Sequence, residues 1–192
     1  MDAELEALSL ESVDWTGRDA RGLQLSESQL RSTDLSEATV SRARLRDVVV
    51  LDGSWANVMG TDVSLSRVRF ERVRLTGANL SGSRLENVTF ADCRLDLCSF
   101  RFSHLEAVGF DGCRMEESDF YDALLRSVMF TDCDLSDVTL TGATLSGSEM
   151  RGCDVSGVKS PERLRGVRMP WTDVVRTAGD LAAAIGIEVF DE

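Results

Sequence analysis

The chain of 192 residues lacks several features that define common protein classes. No segment approaches the ~20 consecutive apolar residues that a transmembrane helix requires. The N-terminal stretch, MDAELEALSL, has no basic region followed by an apolar run, as a secretory signal would have. Hydrophobic residues still make up 43% of the chain, which is enough for a buried core. We therefore expect a soluble, cytoplasmic protein of one domain, with or without an appendage.

Positive charge is also scarce, because 21 Lys and Arg residues stand against 33 Asp and Glu residues. The resulting net charge of -12 argues against direct binding to nucleic acid through its phosphates. The acidity lies in two blocks. Residues 1–40 and 101–160 each carry a net charge of -6, whereas residues 41–100 carry +2 and residues 161–192 carry -2.

Proline, histidine and cysteine are few. Proline occurs only at Pro161 and Pro170, which suits a long β ladder before residue 160 because proline cannot donate to it. The odd number of cysteines, five, fits a reducing compartment better than a closed set of disulfides. His104 is the only histidine and has no evident catalytic partners. We predict that the protein is not an enzyme.

What the sequence does contain is a repeat of five residues. Every fifth residue from Leu5 to Val155 is apolar, with Gly60 as the one exception and no insertion between them. Smaller residues lie two positions before these centres, and all five cysteines belong to this second set. A period of five matches neither a helix nor a strand, so a chain that buries two of every five residues must turn regularly. The spacing predicts a solenoid.

A second period, of twenty residues, sets the size of one coil. At this interval the apolar centre is a phenylalanine four times in succession, at Phe70, Phe90, Phe110 and Phe130. Four pentapeptides therefore make one turn, and equivalent residues stack in columns ~4.8 Å apart. Gly60 follows the bulky Trp55, as compensation in a core of fixed cross-section.

The cysteines fit these columns as core residues. Four of them are spaced by twenty and are predicted to stack in one interior column: Cys93, Cys113, Cys133 and Cys153. A column cannot surround a tetrahedral zinc ion. Neighbours with Cβ atoms ~4.8 Å apart also exceed the ~3.5 to 4.5 Å that a disulfide prefers. We predict small buried hydrophobic residues, and no metal or cofactor.

The stretch GANLSG, residues 77–82, matches the A-(N/D)-L-x-x signature of the pentapeptide repeat family, which the chain resembles throughout its five-residue frame. The resemblance implies an all-β protein, a right-handed quadrilateral parallel β-helix of about eight coils. We expect residues 1–160 to form this β-helix. Residues 161–192 are expected to form a C-terminal helical cap.

The C-terminal residues break the repeat and carry a helical pattern. Leu164 and Met169 suggest a last partial coil that is shifted by one residue, and a helix is predicted from about residue 171 to 185. Capping is required because a solenoid end exposes its core and its strand edges. The apolar surface exceeds that need, and family members that act on DNA gyrase dimerise through similar elements. We therefore predict a homodimer interface formed by Trp171, Val175, Leu181, Ile185 and Phe190.

The resemblance is to the loop-free members that protect DNA gyrase, of the quinolone-resistance type, and it implies a DNA mimic. B-DNA carries about one charge per 1.7 Å, so residues 101–160, spanning ~14 Å, would need ~8 negative charges to match it. Their net charge is -6, whereas residues 41–100 are positive, so mimicry is predicted only locally. The predicted contact residues are Asp111, Glu116, Glu117, Asp119, Asp122, Asp132, Asp134 and Asp137.

Two functions therefore remain open. The protein is either a binding partner of DNA gyrase or a related type II topoisomerase, or a structural or protein-interaction module without such a target.

A second candidate contact site is formed by Leu97 and Phe102, which occupy corner positions that elsewhere carry Gly, Asp or Glu.

Overall fold

The structure is a computed structural model that describes residues 4–184 and 186–190. It confirms the predicted fold class, because the chain forms a parallel β solenoid followed by short C-terminal helices, but the solenoid has about seven turns and not the predicted eight. Within the described residues, fourteen strands form a single sheet in which each strand pairs with strands about twenty residues away. The coil thus has four faces, which we number by the order in which the chain crosses them.

Strands define faces 1 and 2. Face 1 is formed by β1 (Glu4–Glu6), β3 (Gln24–Ser26), β7 (Arg84–Glu86), β9 (His104–Glu106), β11 (Leu124–Arg126) and β13 (Thr144–Ser146). Face 2 is formed by β2 (Ser9–Glu11), β4 (Gln29–Arg31), β8 (Thr89–Ala91), β10 (Gly109–Asp111), β12 (Met129–Thr131) and β14 (Glu149–Arg151). Two longer strands, β5 (Arg44–Leu51) and β6 (Ser64–Glu71), run through both faces.

Faces 3 and 4 are narrower, and single parallel bridges hold them together. On face 3 the bridged residues include Asp14, Arg94 and Asp154, and on face 4 they include Asp19 and Asp119. Every bridge within these two faces joins residues twenty positions apart. Because register never slips, residue types that recur every twenty positions stack directly on one another.

The corners between faces explain the polar part of the repeat. Every fifth residue from Ala7 to Gly157 has a positive φ, between 49° and 74°. This left-handed conformation is accessible to glycine and, among other residues, most readily to asparagine and aspartate. Those three residue types therefore recur at the corners, for example at Asn57, Asp62 and Gly77.

The core consists of the apolar centres and the small residues two positions before them. Phe70, Phe90, Phe110 and Phe130 stack with ring centroids 4.9, 5.0 and 5.1 Å apart and interplanar angles of 5° to 7°. Trp55 packs edge-on against Phe70 at 5.4 Å. At Gly60 an added Cβ atom would lie 3.1 Å from the Leu80 side chain, so the core has no room for a larger residue there.

The five cysteines are buried free thiols, which confirms their predicted place in the core. Cys98 donates to the carbonyl of Leu75 at 3.0 Å, and Cys113 donates to the carbonyl of Phe90 at 3.4 Å. Burial raises the pKa of the Cys98 thiol to about 12. Since the thiolate is the reactive form, a raised pKa leaves this thiol inert at neutral pH.

After the last full coil, the chain follows a partial coil and then caps the solenoid. A 3₁₀ helix spans Pro161–Leu164, and Leu164 is buried. Arg168 then bridges Glu149, nineteen rather than twenty positions away. The predicted one-residue shift of the last partial coil is therefore confirmed.

The single helix predicted over residues 171–185 is wrong in detail. Two short helices, α1 (Trp171–Arg176) and α2 (Ala178–Ala184), meet at Thr177, whose φ and ψ are -97° and 5°. The buried Thr177 hydroxyl donates to the Asp173 carbonyl at 3.0 Å, a local bond of the kind that bends helices. Residue Ile185 lies outside the described residues.

Polar side chains of α1 complete the cap. In the preceding coil Asp132 donates its N–H to the carbonyl of Arg151, nineteen residues ahead. At the last coil the equivalent N–H, that of Gly152, donates instead to the buried carboxylate of Asp173 at 2.7 Å. Arg176 donates to the carbonyl of Cys153 at 3.2 Å and to Asp173 at 3.0 Å. These two side chains replace the backbone groups that another coil would supply.

The cysteine column is structural, so replacing Cys113 with alanine leaves a small cavity and should reduce the free energy of unfolding by about 1 to 2 kcal/mol. Urea unfolding followed by circular dichroism measures this change. Stoichiometric zinc in the purified protein, or a native disulfide detected by mass spectrometry, would contradict the structural role.

Replacing Asp173 with alanine should leave the Gly152 N–H without its acceptor and lower the free energy of unfolding by about 1 to 3 kcal/mol. Hydrogen exchange at the Gly152 amide should accelerate together with this loss. Asp180→Ala, an exposed carboxylate on α2, serves as the control and should change neither quantity. Unchanged exchange at Gly152 in the Asp173 variant would show that the carboxylate does not cap the ladder.

Candidate protein-binding surface

The eight acidic residues predicted as contacts all lie on the outside of the solenoid, but they do not share one surface. Face 3 and its two bounding corners carry five of them: Glu116, Glu117, Asp132, Asp134 and Asp137. Asp111 lies on face 2, Asp119 on face 4, and Asp122 at the corner between faces 4 and 1. Because the chain turns a corner every five residues, neighbours in sequence are distributed around the coil.

One acidic residue of this surface was missing from the predicted set. Asp154 pairs in register with Asp134 and extends the acidic column by one coil. The twenty-residue spacing between the two was the signal that could have identified it. We call the resulting surface the acidic face; it comprises Glu116, Glu117, Asp132, Asp134, Asp137 and Asp154.

Carboxylates of the acidic face are almost free of ion pairs. Of the six residues of the acidic face, only Glu116 has a cationic side chain within 4 Å among the described residues, that of Arg114 at 3.8 Å. The carboxylates of Asp134 and Asp154 are instead oriented by their own turns. Asp134 accepts from the Ser136 N–H at 3.1 Å, and the N–H of Ser156 holds the pKa of Asp154 below its usual value.

The middle of the solenoid is neutralised by contrast. Arg67 donates to Asp47 at 2.6 Å, and Arg72 donates to Asp52 at 2.7 Å. In each pair the arginine hydrogen bond lowers the pKa of the carboxyl group. The carboxylates of these two pairs are therefore compensated locally, and residues 41–100 carry a net charge of +2, whereas most carboxylates of the acidic face have no ion pair among the described residues.

Glycines one coil beyond the acidic corners leave space for the carboxylates. A Cβ atom at Gly152 would collide with the carboxylate of Asp132, and one at Gly157 would lie 2.5 Å from that of Asp137. Both glycines also have a positive φ of 65°. A side chain at either position would push the carboxylate below it out of place.

Face 3 changes sign along its length. Below Asp134 the same column holds Arg114, Arg94 and Arg74, which bridge one another in register. The acidic face is therefore a patch at the C-terminal end of the solenoid and not a stripe along its whole length.

The residues predicted for dimerisation divide into two groups. Trp171, Val175 and Phe190 are exposed, Trp171 to 77% and Phe190 to 81%. Leu181 instead packs, partly buried, against the core of the solenoid. Ile187 and Val189 are also exposed and add to the apolar surface beside the cap. Ile185 cannot be placed, because it lies outside the described residues.

The remaining described surface was compared with the requirements for a metal site and for a membrane span. Across residues 4–184 and 186–190, no group of three or more His, Cys, Asp and Glu side chains is arranged to hold a metal ion. The described helices include none with the length and apolar character needed to cross a membrane. A cavity of about 520 Å³ lies at the first coil, lined by residues that include Leu5, Trp15 and Arg21.

Comparison with known proteins agrees with this repeat architecture. The model described as "Pentapeptide repeat region" matches residues 63–140 and 83–159, and that described as "Pentapeptide repeats (8 copies)" matches residues 9–48. These matches cover more than half of the chain and show that it belongs to the pentapeptide repeat family. No curated protein sequence is significantly similar to it.

Several solved structures resemble the chain at low identity. HetL, a pentapeptide repeat protein involved in heterocyst differentiation regulation from the cyanobacterium Nostoc, is 19% identical, with 85% of this chain and 87% of HetL aligned at a TM-score of 0.44. QnrB1, a plasmid-mediated fluoroquinolone resistance protein, is 18% identical over 98% of this chain and 92% of its own, with a TM-score of 0.39. A pentapeptide repeat protein from the thylakoid lumen of Arabidopsis thaliana is 14% identical over 68% of this chain and 70% of its own, with a TM-score of 0.42.

Proposed function

We propose that this protein is a DNA-mimicking binding protein whose acidic face contacts DNA gyrase or a related type II topoisomerase. The observation that carries the proposal is a set of six carboxylates on three successive coils at one end of the solenoid, of which only Glu116 has an ion pair among the described residues. Protection of the enzyme from inhibitors would follow from occupation of its DNA-binding saddle. The role is binding without catalysis, and a target of this kind implies a cytoplasmic location.

The charge density of the acidic face supports the proposal over a short distance. Successive coils lie about 5 Å apart, as the spacing of the phenylalanine rings shows. Duplex DNA carries about three negative charges in that length, so each coil needs about three to match its charge density. The acidic face spans three successive coils. The coil of Glu116 and Glu117 has two of its carboxylates, the next coil has three, and the coil of Asp154 has one. Basic residues dilute the charge below this region, so the density of duplex DNA is reached only in the coil of Asp132, Asp134 and Asp137.

The position of the acidic face next to the cap suggests how it would be presented. A two-fold dimer through the exposed Trp171, Val175 and Phe190 would bury apolar surface that the cap leaves in water. The two acidic faces would then flank the joint. A saddle-shaped enzyme surface would meet negative charge on both sides of the dimer axis.

A protein-interaction module without a topoisomerase target is the second candidate. The observation that favours it is the arginine column of face 3, Arg74, Arg94 and Arg114, which duplex DNA would not present. Under this alternative the column and the acidic face would together select a partner of mixed charge.

A supercoiling assay tests the first candidate. Asp132→Asn with Asp137→Asn removes two charges while keeping a residue type that tolerates the left-handed corner conformation. If the proposal holds, the wild-type protein alters gyrase supercoiling at micromolar concentration, and this variant is weaker by about tenfold. Binding by the wild-type protein should also weaken steeply as salt rises.

The matched control is Asp62→Asn with Asp92→Asn, which makes the same change at corners of the middle region. It should retain wild-type activity. Equal loss in both variants would show that only net charge matters, and no wild-type effect on supercoiling would leave the interaction module as the function. A parallel titration with a quinolone present measures protection.

Dimerisation is tested through residues that do not serve the cap. Trp171→Ser with Phe190→Ser should yield a monomer at concentrations where the wild-type protein is a dimer, because apolar surface drives the association. The thermal midpoint of the solenoid should change little at low concentration, since Asp173 and Leu181 are untouched. If light scattering finds the wild-type protein monomeric at micromolar concentration, the dimer proposal is contradicted and capping is the remaining role of the C-terminal element.

A further inference from the structure

Two corner residues break the pattern that governs the other corners. Leu97 and Phe102 have φ values of 59° and 58°, a conformation in which side chains of this size are unfavourable. They are the only large apolar residues among the described corners from Ala7 to Gly157. Leu97 is exposed to 57% and Phe102 to 52%, so burial does not compensate for the backbone strain. Other non-glycine corners share this backbone conformation, but of the described corners only these two expose a large apolar side chain, which is typical of a contact site.

The two residues bound the same rung of face 4, and an ordered aromatic cluster extends from Phe102. The Phe102 and Tyr121 rings meet edge to face at 5.6 Å. The Arg101 guanidinium lies 4.5 Å from the Tyr121 ring centroid and donates to Asp119 at 2.8 Å. Cation–π contact and ion pair hold these side chains in one arrangement before any partner binds.

Carboxylates follow these apolar residues in both corner columns. Glu117 and then Asp137 follow Leu97, and Asp122 follows Phe102, at successive coils. None of the three has an ion-pair partner within the part of the chain that the structure describes. The charge of Arg101 is already satisfied by Asp119. A partner would therefore meet an apolar anchor with free negative charge directly beyond it.

We propose that this part of face 4, the aromatic corner formed by Leu97, Arg101, Phe102 and Tyr121, docks a basic protein segment that carries apolar side chains flanked by lysine or arginine. Tyr and Arg are enriched among residues that dominate binding energy, and rigid aromatic rings lose little entropy on binding. The complementary charge lies in the two corner columns. Glu117 and Asp137 also belong to the acidic face, but the apolar and aromatic contacts of Leu97, Phe102 and Tyr121 are not used by DNA mimicry, so the proposal does not require gyrase as the target.

The same charges disfavour other occupants. An anionic membrane would be repelled by Glu117 and Asp122, and a second copy docked through the same surface would place its own Glu117 and Asp122 against them. A basic amphipathic segment gains from both the anchor and the carboxylates. Protein rather than lipid is therefore the occupant that the surface fits.

An 18-residue helical peptide with one leucine face and one lysine face is the probe, titrated in 0.15 M salt and followed by its fluorescent label. Leu97→Asn with Phe102→Asn should weaken binding at least tenfold, with the same salt dependence, because asparagine suits the corner but removes the anchor. Glu117→Gln with Asp122→Asn should weaken binding and also reduce its salt dependence.

The control is Leu124→Thr with Met129→Thr, which removes two exposed apolar side chains from faces 1 and 2. Threonine already occupies both columns, at Thr144 and Thr89, so these strands accept it. The control should bind the peptide within about twofold of the wild-type protein. Equal affinity of the Leu97/Phe102 variant and the wild-type protein would overturn the proposal.

Stability separates a binding role from a structural one. The Leu97/Phe102 asparagine variant should unfold at a temperature no lower than the wild-type protein, since it relieves two strained corners. A clearly lower midpoint would show that the aromatic corner stabilises the fold, which overturns the proposal. Two further results would overturn the proposal. One is binding of the wild-type protein to phosphatidylglycerol vesicles that the variant abolishes, and the other is self-association of the wild-type protein that the variant abolishes.

Discussion

The hydrogen-bond ladder between residues twenty positions apart is the constraint on which the structure depends. Each coil supplies backbone partners for the next, and the register is constant from β1 to β14. A single inserted residue would move every later side chain to the wrong side of the wall. The ladder also forces each corner into the left-handed conformation, so backbone geometry and residue choice are coupled along the whole chain.

A constant register stacks like on like, with opposite consequences inside and outside. In the core, repeated residues pack well, as the phenylalanine column shows with its nearly parallel rings. On the surface, repeated charges lie close together, as in the arginine column and at Asp134 and Asp154. Like charges directly opposite one another are destabilising. Asp134 and Asp154 keep this cost without an ion pair among the described residues, which is the physical reason for proposing that a partner supplies the missing charge.

The ends of the ladder are treated differently. At the C-terminal end, Asp173 and Arg176 substitute for the missing coil by bonding Gly152 and Cys153. Apolar capping residues were expected, yet the polar part of the cap could not be read from a helical pattern, because it depends on where α1 lies over the last coil. At the opposite end, the first coil leaves Trp15 only partly buried.

The sequence by itself determined the solenoid, its coil length and the buried cysteines, because five- and twenty-residue periods act through a ladder whose register is constant up to Lys159. The changed spacing of Leu164 and Met169 indicated the shifted last coil. Tertiary structure decided which charges share a surface. Asp119 and Asp122 turned away from the acidic face, and Asp154 joined it, since each corner redirects the chain. It also decided which carboxylates are paired, and it showed Leu97 and Phe102 as strained neighbours of an aromatic cluster. Such relations depend on contacts between coils, which no local pattern records.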